Sequence, residues 1–345
     1  MTAKLRQLFP NAAPAGLAAA RAVGTLVIDA EEDFDWATPV QGAKRSTEHL
    51  HDLSRPTALF VHYGAVPTYL ITLPVLQDDA AVAELRRLHA RGDCALGLQL
   101  HPWVTPPFGE PVGMKMSFLT NLSEAQEERK LLHMKAEFEA CFGFSPAIFR
   151  AGRYGLSRHT PHLLEKHGFR VDTSLAPRSD LSAQGGPDGR GDGAGLFWFG
   201  QGGGESDRLL EVPLCRDVVG WGCEWAHDWA GLNPDPGKFA TLLAGLLARS
   251  HCAERITLSP EGNDVAAMRR LLRGLQAKGQ GVFALSFHSS SLAPGHNPYV
   301  GDASGLRDFY TTLEAILGHM RDALPGGFAR LDEIPDLLAA SGDRA

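Results

Sequence analysis

Val282-Phe283-Ala284-Leu285-Ser286-Phe287-His288-Ser289-Ser290-Ser291 is an apolar run that ends in a histidine and three hydroxyls, with Pro294-Gly295 just beyond. A run this short and apolar reads as a buried strand, and a histidine at its end is how a barrel presents a proton-transfer group at its rim. Three upstream segments have the same form. They are the acids Asp29-Ala30-Glu31-Glu32-Asp33 after Thr25-Leu26-Val27-Ile28, the segment Gln99-Leu100-His101-Pro102-Trp103, and Arg150-Ala151-Gly152-Arg153-Tyr154-Gly155.

Working outward, apolar runs alternate with helix-patterned segments. Strands are predicted over 24–29, 68–72, 95–100, 147–150, 169–172 and 282–287, and helices over 78–91, 124–142, 160–166, 236–249, 263–278 and 304–324. Ser123 is the predicted N-cap of the long helix 124–142 and Gly143 its stop, while Gly168 closes the helix 160–166. This order predicts a parallel α/β sheet, open or closed into a barrel. Residues 1–22 read as an N-terminal extension and 23–340 as a single domain. Within it 179–207 is a glycine-rich insertion whose Leu196-Phe197-Trp198-Phe199 needs cover, either as a surface loop or as a structured lid.

At 345 residues with 44% hydrophobic and 21% charged residues, the chain has the composition of a globular enzyme. A formal charge of -7 argues against nucleic acid or an anionic membrane as partner and favours a neutral or weakly charged substrate. Five cysteines without a C-x-x-C pair suggest neither a disulfide framework nor a zinc cluster, and read as reduced thiols. Residues 1–22 lack an apolar signal core, and no run of about 18 apolar residues occurs, so a cytoplasmic location without stable membrane insertion is expected.

The strand ends carry the chemistry. Asp29 ends its strand, and Glu31, two residues on, shares its face if the extended conformation persists. At least two of Glu31, Glu32, Asp33 and Asp35 are expected to be solvated acids of a turn or helix start. Gln99 and His101 also stand at i and i+2, toward one site. Arg150 can grip a carboxylate, and a Tyr154 amide in the following turn can donate to an oxyanion. Asp172, closing strand 169–172, either orients the His288 imidazole or caps the next turn. Trp198, Trp221, Trp225 and Trp229 read as core aromatics or sugar-stacking surfaces.

Taken together, these segments resemble the polysaccharide deacetylase family of NodB homology, carbohydrate esterase family 4 in the broad sense, and within it the WalW-like branch. The likeness spans nearly the whole chain, through Thr25 to Trp36, Pro67-Thr68-Tyr69-Leu70, His101-Pro102-Trp103-Val104-Thr105-Pro106-Pro107, Phe149 to Gly155, Val171-Asp172-Thr173-Ser174 and Phe287 to Ser291. The resemblance implies a distorted (β/α) barrel and metal-assisted hydrolysis of an acetyl group on a sugar. It implies Asp29 as general base, Arg150 holding that aspartate as a carboxylate, and His288 as general acid tethered by Asp172. The Tyr154 amide would steady the oxyanion. A divalent metal, zinc by preference, would be held by Glu31, Gln99 and His101. The family's first motif has an Asp-Asp pair where this chain has Asp29-Ala30-Glu31. Its second motif has a histidine where this chain has Gln99, which predicts weakened metal affinity. A non-catalytic carbohydrate-binding descendant is therefore a second reading. Glycoside hydrolysis by Asp29 with an acid such as Glu261 is a third.

Overall fold

The computed structural model describes residues 5, 8–33, 46–111, 113–199, 209–220 and 253–341. The expected helix 236–249, Asp35, Trp221, Trp225, Trp229 and Gly202-Gly203-Gly204 lie outside the described residues.

The apolar runs fold as strands of one nine-stranded sheet. In chain order the strands are β1 (Ala13–Pro14), β2 (Val23–Ala30), β3 (Pro67–Ile71), β4 (Ala95–Leu100), β5 (Ile148–Ala151), β6 (Val171–Asp172), β7 (Phe197–Phe199), β8 (Leu209–Glu211), β9 (Arg216–Val219), β10 (Glu254–Thr257) and β11 (Val282–His288). The sheet order is β1-β7-β8-β6-β5-β4-β3-β2-β11, with β9 and β10 forming a separate antiparallel pair. From β11 to β8 every pairing is parallel, and β7 and β1 are added antiparallel. Every residue of β2, β3 and β4 is buried. Burial of both faces explains why these strands read as continuous apolar runs without alternation.

The barrel is distorted because its last wall is irregular chain. Leu214 N donates to Leu175 O (2.9 Å), Leu258 N to Cys215 O (2.8 Å) and Ser286 N to Leu258 O (3.1 Å). These bonds carry the wall from the end of β6 round to β11, where no regular ladder joins β8 to β11 among the described residues.

Helices α1 (Ser54–Tyr63), α2 (Leu73–Leu76), α3 (Asp79–Ala90), α4 (Glu124–Phe142), α5 (Thr160–Lys166), α6 (Val265–Ala277), α7 (Ala303–Ala323) and α8 (Ile334–Ser341) complete the order. Ser123 and Gln126 form a capping box at the start of α4, and Gly143 ends it at φ 79°. None of the helices described is long and apolar enough to cross a membrane. Helices α1, α2 and α8 and strands β1 and β7 to β10 are additions to the sequence reading. The strands have two to four residues each, too few for periodicity to register. In the glycine-rich insertion, Leu196, Phe197 and Phe199 are buried, and β7 takes its cover from β1 and β8.

Gly97 sets how closely β3, β4 and β5 approach. A Cβ at this position would lie 2.8 Å from Ile148 Cβ, 2.9 Å from Ile148 O and 2.9 Å from Leu70 Cδ2. Gly97→Ala is predicted to cost about 1–3 kcal/mol through overpacking of the central strands. Denaturant unfolding checks this, and an unchanged midpoint would show that the strands separate freely.

Candidate active site

Parallel strands present their C-terminal ends at one rim, and the residues singled out from the sequence gather there. Asp29, Glu31, Gln99, His101, Arg150, Tyr154 and His288 all line a single cavity of about 330 Å³. The sheet register aligns them: His288 pairs with Asp29 across β11 and β2, and Gln99 with Arg150 across β4 and β5. Asp172 does not line the cavity.

At the centre is a buried ion pair. Arg150 Nη1 donates to Asp29 Oδ1 (2.5 Å) and to Ser286 Oγ (3.2 Å). Its Nε and Nη2 reach Thr173 O and Thr173 Oγ1, both at 3.1 Å. The guanidinium thus fixes Asp29 while a second carboxylate oxygen, Oδ2, faces His288 Nε2 at 3.7 Å. Glu31 Oε1 faces the same nitrogen at 3.8 Å, so Asp29 and Glu31 do share a face. Burial pushes the Glu31 carboxyl up, opposed by His288 and His101.

The tether of His288 differs from the expectation. Its Nδ1 pairs with Glu261 Oε2 at 2.8 Å, while Glu261 Oε1 accepts from His288 N (3.0 Å) and Ser291 Oγ (2.5 Å). Asp172 instead accepts from Ser174 Oγ and stands opposite Glu211 across β6 and β8. Burial raises Asp172 to about 6 and Glu211 well above the ordinary carboxyl range, and Asp172 stays inside the wall, away from the His288 ring. Glu261 follows Ile256-Thr257-Leu258-Ser259 just beyond the end of β10, and its bonds to His288 and Ser291 engage both its oxygens. Burial pulls the His288 imidazole down, but Glu261, Glu31 and Asp29 outweigh it and hold its pKa at about 10. His288 is therefore cationic at neutral pH, with Nδ1 engaged and Nε2 facing the cavity.

The expected metal ligands converge. Gln99 Nε2 lies 3.0 Å from Glu31 Oε2 and 3.1 Å from His101 Nε2, and those two atoms are 3.4 Å apart. His101 Nδ1 pairs with Glu32 Oε1 at 3.0 Å, the carboxylate–imidazole arrangement that orients a metal-binding histidine. Although burial lowers its pKa, Glu32 and Glu31 carry His101 up to about 9. Gln99 Oε1 is buried without a hydrogen-bond partner. Half a turn of the carboxamide puts that oxygen between Glu31 and His101, giving one amide oxygen, one carboxylate oxygen and one imidazole nitrogen. This donor set fits a divalent cation.

The backbone beneath His101 is specially built. A Cβ on Gly152 would collide with the His101 ring and lie 2.6 Å from Leu100 O, so only glycine lets β5 run this close. Buried Lys130 donates to Pro102 O (3.2 Å), Thr105 O (2.6 Å) and Pro107 O (2.8 Å), pinning the loop that follows His101. Trp103 stacks on His101 with ring centroids 4.1 Å apart.

The acidic run corrects another expectation. Glu31, Glu32 and Asp33 are 2%, 1% and 8% exposed, so the solvated acids predicted among them are buried. The reason is a set of histidine partners distant in sequence. Glu32 faces His101, and Asp33 faces His49 (3.4 Å) and His296 (2.7 Å), making an Asp-His-His group distinct from the Asp29, Glu31 and His288 cluster of the cavity.

No family model matches the chain, and no curated protein matches it in sequence. Solved structures do match. A protein from Mycobacterium smegmatis assigned as a polysaccharide deacetylase is similar at 17% identity and TM-score 0.54, over 95% of this chain and 94% of that one. Another, from Pseudomonas aeruginosa and assigned likewise, is similar at 13% identity and TM-score 0.53, over 93% and 92% of the two chains. An allantoinase is similar at 13% identity and TM-score 0.51, over 93% and 91%. At these identities the likeness is one of fold: the chain has the distorted (β/α) barrel of the polysaccharide deacetylases.

The pairing of His288 generates a prediction. Replacing the Glu261 charge with Glu261→Gln removes a partner that favours imidazolium, so the His288 pKa falls by about 1–3 units. Asp172→Asn leaves it within a few tenths. Titration of the His288 C2 proton by NMR checks both, and the reverse ranking would restore Asp172 as the tether.

Proposed function

We propose that the protein is a metal-assisted deacetylase acting on an acetylated sugar or polysaccharide precursor, of the WalW-like branch. The observation that carries this reading is the His288 imidazole, held by Glu261 on one side and aimed at the Arg150-bound Asp29 on the other. Acyl transfer from an amide or ester to water needs a base for the water, a donor for the oxyanion and an acid for the leaving group. Asp29 Oδ2 takes the water proton as the oxygen attacks the acetyl carbon. His288 Nε2 gives its proton to the departing amine or alkoxide as the bond to the acyl carbon breaks. Consecutive left-handed residues, Arg153 (φ 54°) and Tyr154 (φ 55°), turn the backbone at the cavity wall, where the Tyr154 amide serves as oxyanion donor.

Glu31, Gln99 and His101 would hold a divalent metal, zinc by preference, and Glu32 would orient His101. When bound, such a cation polarises the acetyl carbonyl and acidifies a water. The free thiols Cys94, Cys141 and Cys215 support a reducing, cytoplasmic setting. One observation favours the second reading, a carbohydrate-binding descendant without catalysis: Gln99 Nε2 already donates to Glu31, so that carboxylate oxygen has a hydrogen-bond partner without a metal.

Two measurements test the proposal. Loss of the acid in His288→Ala is predicted to lower acetate release from acetylated sugars by about 10²- to 10⁴-fold, with sugar binding retained. Binding without any acetate release from the unaltered protein would favour the second reading. Restoring an imidazole in Gln99→His is predicted to raise zinc affinity at least about tenfold by metal analysis. Unchanged affinity would remove Gln99 from the ligand set.

A further inference from the structure

Three carboxylates, Asp29, Glu31 and Glu261, line the cavity, against the guanidiniums of Arg150, Arg153 and Arg216 and two imidazoles. Arg150 is matched by Asp29, and His288 by Glu261. The other two arginines meet no carboxylate among the described residues. Arg216 uses Nε on Thr257 Oγ1 (2.7 Å) and Nη1 on Ser179 Oγ. Arg153 uses Nη1 on Ser117 Oγ (2.9 Å) and Met114 Sδ (2.6 Å) and Nη2 on Gln184 Oε1, with its guanidinium 4.5 Å from the Phe118 ring centre. All of these partners are neutral.

A guanidinium withdrawn from water without a counter-charge costs free energy, so a protein keeps one lining a cavity where a ligand supplies the charge. Burial lowers the pKa of both arginines, opposed at Arg216 only by the phenols of Tyr154 and Tyr299 and by no carboxylate among the described residues. The two also bracket one segment: Arg216 holds Ser179 and Arg153 holds Gln184, with Leu181 between them on the cavity wall. Arg153 is further fixed by its left-handed backbone, a conformation that costs a non-glycine residue about 1–3 kcal/mol.

We infer that the cavity takes an acetylated sugar bearing an anionic group, a carboxylate or a phosphate, gripped by Arg153 and Arg216. This inference rests on the deacetylase reading for the acetyl group, and on the two arginines alone for the charge. Guanidinium is suited to both anions because its planar fork matches two oxygens at once.

The test is calorimetric binding of matched ligands to the metal-loaded protein and to its His288→Ala variant. The probes are N-acetylglucosamine, N-acetylglucosamine 6-phosphate and N-acetylmuramic acid. At least one anionic sugar is expected to bind about tenfold or more tightly than the neutral one, with the preference falling as salt is raised. The two anionic probes separate phosphate from carboxylate. Arg153→Gln and Arg216→Gln are each expected to shrink the anionic-over-neutral ratio about tenfold, and Arg216→Lys to retain part of it. Thermal unfolding verifies that each variant is folded. Equal binding of neutral and anionic sugars, a preference that survives both Gln variants, or no binding of either anionic sugar overturns the inference. Acetate release then separates the two readings. An anionic preference without acetate from any probe leaves this inference standing and removes the deacetylase. Acetate released without an anionic preference does the opposite.

Discussion

The buried Arg150–Asp29 pair is the constraint on which the rest of the site depends. Arg150 is 1% exposed at the end of β5, and its bonds reach Asp29 on β2, Ser286 on β11 and Thr173 beyond β6. One side chain therefore ties together strands separated in the sheet by β3 and β4. Stripping one partner from such a pair costs about 3–5 kcal/mol, because the remaining charge stays buried alone. The same geometry places Asp172 behind the pair: it accepts from Ser174, lies off the cavity lining, and leaves His288 Nδ1 to Glu261.

Much of this was legible in the sequence because two periodicities carry it. Fully buried parallel strands give apolar runs, and the residue that ends each run points to the rim, so Asp29, His101, Arg150 and His288 could be picked out individually. Spacing at i and i+2 correctly put Glu31 with Asp29 and Gln99 with His101. What failed was pairing across distance. Glu261 lies 27 residues before His288 in sequence, beyond a whole helix, and β10 before it is only four residues long. Nothing local distinguishes it from Asp172 as a partner. The burial of Glu32 and Asp33 was hidden for the same reason, since their histidines lie 69, 16 and 263 residues away.

Gln99 shows how one side chain can give a site two arrangements. An imidazole accepts through a lone pair, whereas a carboxamide offers either two donor hydrogens or an acceptor oxygen at the same point. With the nitrogen inward, Glu31 and His101 are bridged by a hydrogen-bond donor; with the oxygen inward, the three residues make a ligand set. The Glu32–His101 pair and the Lys130-pinned loop support either arrangement, because both act on the imidazole and its backbone and leave the amide alone. The scaffold around Gln99 thus supports both a hydrogen-bonded and a ligating arrangement.

Net charge describes the chain at long range and says little about a single cavity. A surplus of acids spread over the surface acts through water, where charges more than about 8 Å apart are screened at physiological ionic strength. Inside a cavity of about 330 Å³ the nearest groups dominate, and there the arginines and imidazoles outnumber the carboxylates. A chain can therefore be acidic as a whole and cationic where it binds. The two quantities are independent because the charge of -7 sums acids over the whole chain, whereas Arg153 and Arg216 are held at the cavity by neutral hydroxyl partners.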